Sequence, residues 1–359
     1  MNKSKRFDWY SIVRIGVAIL LSFALAAVII FFVADDPAKA MQNFFLGGFS
    51  SLRNFSKVIQ DLVPLVFCGM AINVMHKSGL FSMAADSSLY LSGVVSTLIA
   101  IGMPLPAGVH QFTIIIAGTI VGGLVSIIPV ILKRTTGANE LVVSLMMNYI
   151  SFNLGYWIIR KTYIDNNNGS YSIPFLKTAT LGTMVPKTGI HYGLIIMIFA
   201  VIIMWIVMNH SRYGRELEIT GSNSEFAKYA GISVGSVIIL SQLIGGMLAG
   251  MGGAIHVIGA YTKFEWNIAP NYVWDGILIN LLSGKKVRNI PLAAFFLAYI
   301  RVGANVMSRN AKVATELVAI IQGIVILLIA SERFLYGMKK RQEEREVLAN
   351  AAVSSKEVA

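Results

Sequence analysis

Residues 214–234 read GRELEITGSNSEFAKYAGISV, a polar run with charges of both signs set between the apolar segments 191–209 and 235–257. A bilayer core of about 30 Å takes about 20 helical residues to cross. Both flanking segments come close to that length, so the polar run reads as a link outside the membrane between two spans. This reading decides the fold class, because the other apolar stretches can be placed by the same rule.

The chain has 359 residues, 55% of them hydrophobic and 13% charged, with a mean hydropathy of +0.67. An ordinary soluble domain carries about 25% charged residues. The composition predicts an all-α polytopic membrane protein. Apolar runs place spans at 11–33, 57–76, 80–101, 109–132, 139–159, 191–209, 235–257, 273–284, 290–306 and 315–332. Segment 80–101 contains Asp86, and 273–284 is too short to cross straight and suits a broken or re-entrant helix, so the count is eight to ten. The first apolar run, from about Ile12 to Ala34, exceeds the roughly 7–15-residue core of a cleaved signal and is expected to remain as a span.

With the N-terminus inside, 18 of the 30 Lys and Arg residues fall on the cytoplasmic side, nine fall outside, and Arg14, Lys57 and Arg301 lie within spans. That excess predicts an N-in, C-in chain. The expected organisation is a cytoplasmic N-terminus (1–10), one membrane domain (11–332) with its polar link at 210–234, and a cytoplasmic tail (333–359). The net charge of +12 sits in short clusters between the spans, which points to membrane topology and lipid rather than nucleic acid. A single cysteine, Cys68, and five scattered histidines give neither a disulfide framework nor a metal set.

No phosphate loop, HExxH or GxSxG motif is present, so the chain reads as a non-enzyme that binds no cofactor of its own. Uphill transport then needs an ion gradient or ATP hydrolysed by a partner. The acidic residues Asp61, Asp86, Glu140, Asp275 and Glu316 lie near expected helix ends, which weighs against ion coupling. An ion-coupled secondary carrier stays the alternative. A partner ATPase needs a cytoplasmic handle. In 214–234, Ser222 and Glu225 fit a capping box and Gly231 fits a helix stop, predicting a short helix over 223–230. Phe226, Tyr229 and Ala230 make one apolar stripe on it. Such a helix either fits a groove on a partner or folds back on the protein's own surface.

The run also resembles the cytoplasmic loop of permeases in ATP-binding-cassette (ABC) importers for branched-chain amino acids, simple sugars and nucleosides. The resemblance implies that Gly214, Arg215, Gly221, Asn223, Glu225, Phe226, Ala227, Tyr229, Ala230, Gly231 and Ile232 belong to the loop that docks on the ATPase. Glu218, Ile219 and Phe226 depart from its usual pattern. GANELVVSLMMNYI (137–150), IGGMLAGMGGA (244–254) and WDGILINLLSG (274–284) are similar to further segments of the same family, and the likeness runs from about 57 to 330. It implies a permease for a nucleoside or simple sugar, the longer of a pair. The expected partners are an ATP-binding subunit that holds the ATP, a second permease chain and an extracytoplasmic solute-binding protein.

Asn148 lies eight residues beyond Glu140, about 12 Å along a helix. An amide at that depth needs an interhelical partner or a wet cavity. Asn73, Asn153, Asn280, Gln242 and Gln322 are similar, and neutral amides suit a polar, uncharged solute. Asn73, Ser144, Asn148, Asp275 and Asn280 are therefore the expected path residues, with Trp274 an interfacial anchor. Gly246, Gly250 and Gly253 belong to small-residue stripes that let another helix approach closely. At 79–93, GLFSMAADSSLYLSG, two glycines usual in the family are Ala84 and Ser87, which predicts an unbroken helix and keeps a non-transporting scaffold subunit as a further alternative.

Overall fold

The computed structural model describes residues 36–165, 172–186 and 188–311, together with 24, 27–32, 34 and 323. Most of the first and last expected spans, 11–33 and 315–332, and both chain ends lie outside the described residues. Residues 1–45 with 304–359 form one compact unit and 46–303 another. In the first, α1 (Pro37–Leu46) begins at Pro37, whose missing N–H would have had no helical partner. Asp36 Oδ1 accepts the Lys39 N–H at 3.1 Å. Ala40 and Phe44, four apart, are its buried positions. The reading from sequence left this helix inside a link.

Seven helices among the described residues are long and apolar enough to cross a membrane. They are α2 (Leu52–Lys77), α3 (Ala84–Gly102), α4 (Val109–Thr136), α5 (Glu140–Tyr163), α6 (Gly193–His210), α9 (Val234–Ala260) and α11 (Ile290–Ala311), the last entered through a 3-10 turn at Val287–Asn289. Between α6 and α9 lie α7 (Arg212–Ser222) and α8 (Ser224–Tyr229), and α10 (Tyr272–Leu282) precedes α11. The chain is thus an all-α polytopic membrane protein. Of the expected span 80–101, residues 80–83 are irregular and Ala84–Gly102 is one unbroken helix, as the loss of its glycines predicts, while the expected short span 273–284 is the 11-residue helix Tyr272–Leu282.

Within 46–303, α9 packs on α4, α3 and α2, and α2 in turn packs on α10. Small residues make this possible. A methyl group added at Gly250 would sit 2.5 Å from the Gly118 carbonyl oxygen and 2.9 Å from Gly122 Cα. Gly246 faces the Gly122 carbonyl and Ser126, Gly245 faces Met75 and Ala71 of α2, and Gly253 faces Leu89 and Ser92 of α3. Helix α9 therefore has three contact faces, and the stripe on α4 that meets it is Gly118, Gly122 and Gly123. The contacts are polar as well: Ser126 Oγ donates to Gln242 O and Ser88 Oγ to Gly122 O, at 2.8 and 2.7 Å. Cys68 is sealed between α2 and α10, with Gly276 against its backbone. Helix α2 is almost wholly buried, whereas α5 and α6 expose most of their apolar length.

Helix α10 is short because the chain before it turns back into the bundle. Residues 261–271 are irregular, yet Phe264 and Trp266 are buried. Trp266 stacks with Tyr90 and His256 at centroid distances of 6.2 and 6.1 Å. Irregular backbone at membrane depth needs protein partners for its polar groups. Here Phe264 N–H donates to Ser172 Oγ at 2.8 Å, and the Thr262 carbonyl accepts from Phe175 N–H at 2.8 Å. Asn271, in the left-handed region with φ 57°, then starts α10.

Candidate functional site

Two features stand out, an exposed helical corner at α7–α8 and a pair of cavities bordered by α10. The corner is more structured than the sequence reading had it. Residues 212–222 form a helix, not a loop, and Gly214, Leu217 and Thr220 at a spacing of three are its buried face. That spacing is the signal that reading missed. Ser222 is not the cap of the next helix: it ends α7, and its hydroxyl donates to Ile219 O. Asn223 takes the capping role, its Oδ1 accepting the Phe226 N–H at 3.0 Å.

The far end of α8 closes as a Schellman motif. Gly231 N–H donates to Lys228 O and Ile232 N–H to Ala227 O, at 3.0 and 2.9 Å. Gly231 adopts φ 77°, which an L side chain rarely tolerates. Gly214 and Gly221 serve close approach instead. A methyl group on Gly214 would strike the Met208 carbonyl, and one on Gly221 the Lys77 carbonyl. The corner is thereby pressed onto the end of α6 and onto the link after α2.

Only Ala227 of α8 is buried. Phe226 is 59% exposed and Tyr229 91% exposed, with Ala230 and Arg215 also exposed. The helix rests on the protein's own surface by its alanine and turns its aromatic pair outward. Glu225 and Lys228 pair at 2.7 Å on the exposed side. Burial pushes the Tyr213 hydroxyl of α7 above its ordinary pKa range.

The first cavity, about 390 Å³, lies beside α3, α5 and the start of α10. Asp86, Asn148, Tyr149, Phe152, Asn271 and Trp274 contribute to its wall. Asn148 Oδ1 accepts from both Ser87 N–H, at 3.1 Å, and Ser87 Oγ, at 2.5 Å. This fixes the amide orientation and leaves Nδ2 for the cavity. Trp274, half exposed, also stands at this wall. Asp86 is 9% exposed, and its Oδ1 is buried without a hydrogen-bond partner among the described residues.

The second cavity, about 310 Å³, has Asn73, His76, Lys77, Phe81, Asn280 and Lys285 on its wall. Asn73 Nδ2 donates to Asn280 Oδ1 at 2.8 Å, joining α2 to α10. Trp274 belongs to the first cavity and Ile277 and Asn280 to the second, so α10 borders both.

Two further expected path residues, Ser144 and Asp275, make contacts between elements. Ser144 Oγ accepts the Met83 N–H at 3.1 Å, tying α5 to the start of α3. Asp275 of α10 pairs with Arg301 of α11, Oδ2 to nitrogen 2.6 Å. Arg301 also lies over the Tyr272 ring, 5.1 Å from its centroid. The two residues act as a buried interhelical link. Nothing local in the sequence marks Arg301, 26 positions on, as the partner of Asp275.

The family described as branched-chain amino acid transport system / permease component matches residues 54–330. The chain is 30% identical over 333 residues to the guanosine ABC transporter permease protein NupP of Bacillus subtilis, covering 91% of this chain and 96% of that protein. It is 29% identical to the glucose ABC transporter permease protein TsgB13 of Haloferax volcanii, covering 89% and 87%. It is 26% identical to the nucleoside ABC transporter permease protein NupB of Lactococcus lactis, covering 88% and 89%. Among solved structures, PsaBC from Streptococcus pneumoniae in complex with Fab aligns with a TM-score of 0.50 at 12% identity, over 82% of this chain and 98% of that one.

Proposed function

The chain belongs to the family of branched-chain amino acid transport system permease components, and from that premise we propose how it works as the permease subunit of an ABC importer. The solute is a nucleoside, with simple sugars the runner-up class. Two of the relatives named above carry guanosine or a nucleoside and one carries glucose. The wall of the first cavity suits a nucleoside better, since Tyr149, Phe152 and Trp274 offer flat faces to a base and Asn148 and Asn271 offer amides. The solute passes along α10 from this cavity to the second.

The observation that carries the energy-coupling reading is the outward aromatic pair on α8. A capped, rigid helix that buries its alanine and presents Phe226 and Tyr229 is a docking element for a grooved partner. That partner is the ATP-binding subunit, and the α7–α8 corner lies on the cytoplasmic side of a bacterial plasma membrane. Closure of the ATPases pushes α8, and Gly214 and Gly221 transmit the push to α6 and α2. A second permease chain covers the exposed face of α5, and a solute-binding protein delivers at the opposite end. The chain itself makes and breaks no covalent bond.

Reconstitution tests this. Proteoliposomes with the permeases, the ATPase and the solute-binding protein take up labelled guanosine only with ATP on the ATPase side. Gradient-driven uptake by the permease alone would establish a secondary carrier instead. Undiminished uptake by a complex whose second permease works without this chain would make the chain a scaffold.

A further inference from the structure

We propose that the mouth of the second cavity binds a phosphate monoester from the cytoplasmic side, and that import slows while it is bound. This rests on the importer reading above and adds to it a ligand that is not the solute.

Asn73 and Lys77 stand about one turn apart on α2, so the lysine lies about 6 Å nearer the end of the helix that meets α7. Asn280 of α10 and Lys285, just past its end, repeat the order. The wall thus passes from amides at depth to amines at the mouth. It carries no carboxylate, and neither lysine makes an ion pair among the described residues. Lys77 is half-buried and Lys285 exposed.

Lys285 is also strained. Its φ is 60°, in the left-handed region that glycine tolerates and a side chain resists. The turn closes α10: Gly284 N–H donates to Leu281 O and Lys285 N–H to Asn280 O, each at 3.0 Å. Gly284, with φ 62°, is the residue such a turn prefers. Lysine at the next left-handed position has no local advantage, yet it brings an amine to the cavity wall, where Lys286 does not reach. Strain of this kind collects at ligand clamps.

The ends of α2 and α10 contribute about half a negative charge each at this mouth. Two lysines exceed that, and Lys286 and Arg288 stand in the same link. The occupant is therefore an anion with acceptors for more than one amine. Asn280 Nδ2 remains as a neutral donor, since its Oδ1 accepts from Asn73. A phosphate monoester brings three terminal oxygens and a charge of about −1.5 to −2. Phe81, half exposed and 4.5 Å from the His76 ring, offers a flat face to the organic part. The first cavity has Asp86 and neither lysine nor arginine on its wall, so the ester arrives by the mouth.

Occupancy reaches the coupling corner through Lys77. The Lys77 carbonyl lies against Gly221 of α7, and Glu218 of the same helix acts on the Lys77 amine without closing to an ion pair. A phosphate drawn to Lys77 repels Glu218, loads α7 and stands across the exit of the solute.

The test uses the complete importer with ribose 5-phosphate as probe and ribose as the uncharged control. In equilibrium dialysis without ATP, the wild type should retain the labelled ester and not ribose. In proteoliposomes, the ester on the ATPase side should slow ATP-driven guanosine uptake. Lys285→Gly suits the backbone and removes the amine, and it should weaken binding by about tenfold, the order expected for a hydrogen bond to a charged group. Lys285→Arg should retain the ester, and Glu218→Gln should tighten it. Liposomes with and without phosphatidic acid separate the sources: inhibition by that lipid, lost in Lys285→Gly, assigns the phosphate to a headgroup, and inhibition by ribose 5-phosphate assigns it to a soluble ester. If Lys285→Gly does not insert, Lys77→Gln is measured in its place. Unchanged binding in an inserted variant, no binding from either source, or binding without slower uptake overturns the proposal. Absence of ATP-driven guanosine uptake without the ester overturns the importer reading, and dialysis then judges the site alone.

Discussion

The docking role of α8 can be weighed before it is measured. A phenylalanine or tyrosine buries about 200 Å² when fully enclosed. With Phe226 59% and Tyr229 91% exposed, docking has roughly 120 and 180 Å² left to cover. At about 25 cal/mol per Å², the phenylalanine alone offers up to about 3 kcal/mol. Phe226→Ala should then weaken ATPase binding by up to about 100-fold, each 1.4 kcal/mol being a factor of about ten. The exposed Glu225–Lys228 pair gives the contrast, because such pairs contribute about 0–1 kcal/mol. Lys228→Ala should cost less than about fivefold. The assay is titration of fluorescent ATPase subunit onto the permease in nanodiscs. A Phe226→Ala/Tyr229→Ala double variant that binds within about threefold of wild type would refute the reasoning, as would a Lys228→Ala effect larger than that of Phe226→Ala.

Other perturbations separate the remaining parts. At Gly231 no neighbouring atom lies within 4 Å of an added Cβ, so only its φ of 77° resists substitution; Gly231→Asn should keep ATPase co-purification and Gly231→Val should lose it, and equal behaviour would put the constraint elsewhere. Gly250→Leu meets backbone on α4 that cannot yield and should abolish stable insertion, whereas Gly250→Ala should lower the melting temperature in detergent by an overpacking cost of about 1–3 kcal/mol. Asp275→Asn strands the Arg301 charge and should cost about 3–5 kcal/mol in thermal unfolding, largely restored by an accompanying Arg301→Met.

Much of this chain was legible because a bilayer imposes a length and a hydropathy on each span. Segments such as 109–132 and 235–257 declare themselves by that rule, and α4 and α9 stand over them. What sequence reading missed had no such signature. Helix α7 is polar, and its buried face is only Gly214, Leu217 and Thr220. The cap of α8 slipped from Ser222 to Asn223 because both residues can accept a backbone N–H, and only the end of α7 decides between them. For the candidate site, Asn148 was visible as a polar residue at depth, but its bond to Ser87 was not. Asp86 read as a helix-end charge until the cavity beside it appeared. Pairings such as Asp275 with Arg301 are tertiary facts, and no periodicity announces them.

The sealing of Cys68 has a practical outcome. It is the chain's one thiol, and it is wholly enclosed where Gly276 lies against its backbone. Maleimide reagents applied to the intact complex should leave it untouched. A reporter cysteine placed at Tyr229 on α8 or at Tyr149 beside the first cavity would then be the sole labelled position in the subunit. The environment of a label at either site can be followed during ATP turnover on an otherwise native chain, with no cysteine-free background to engineer first.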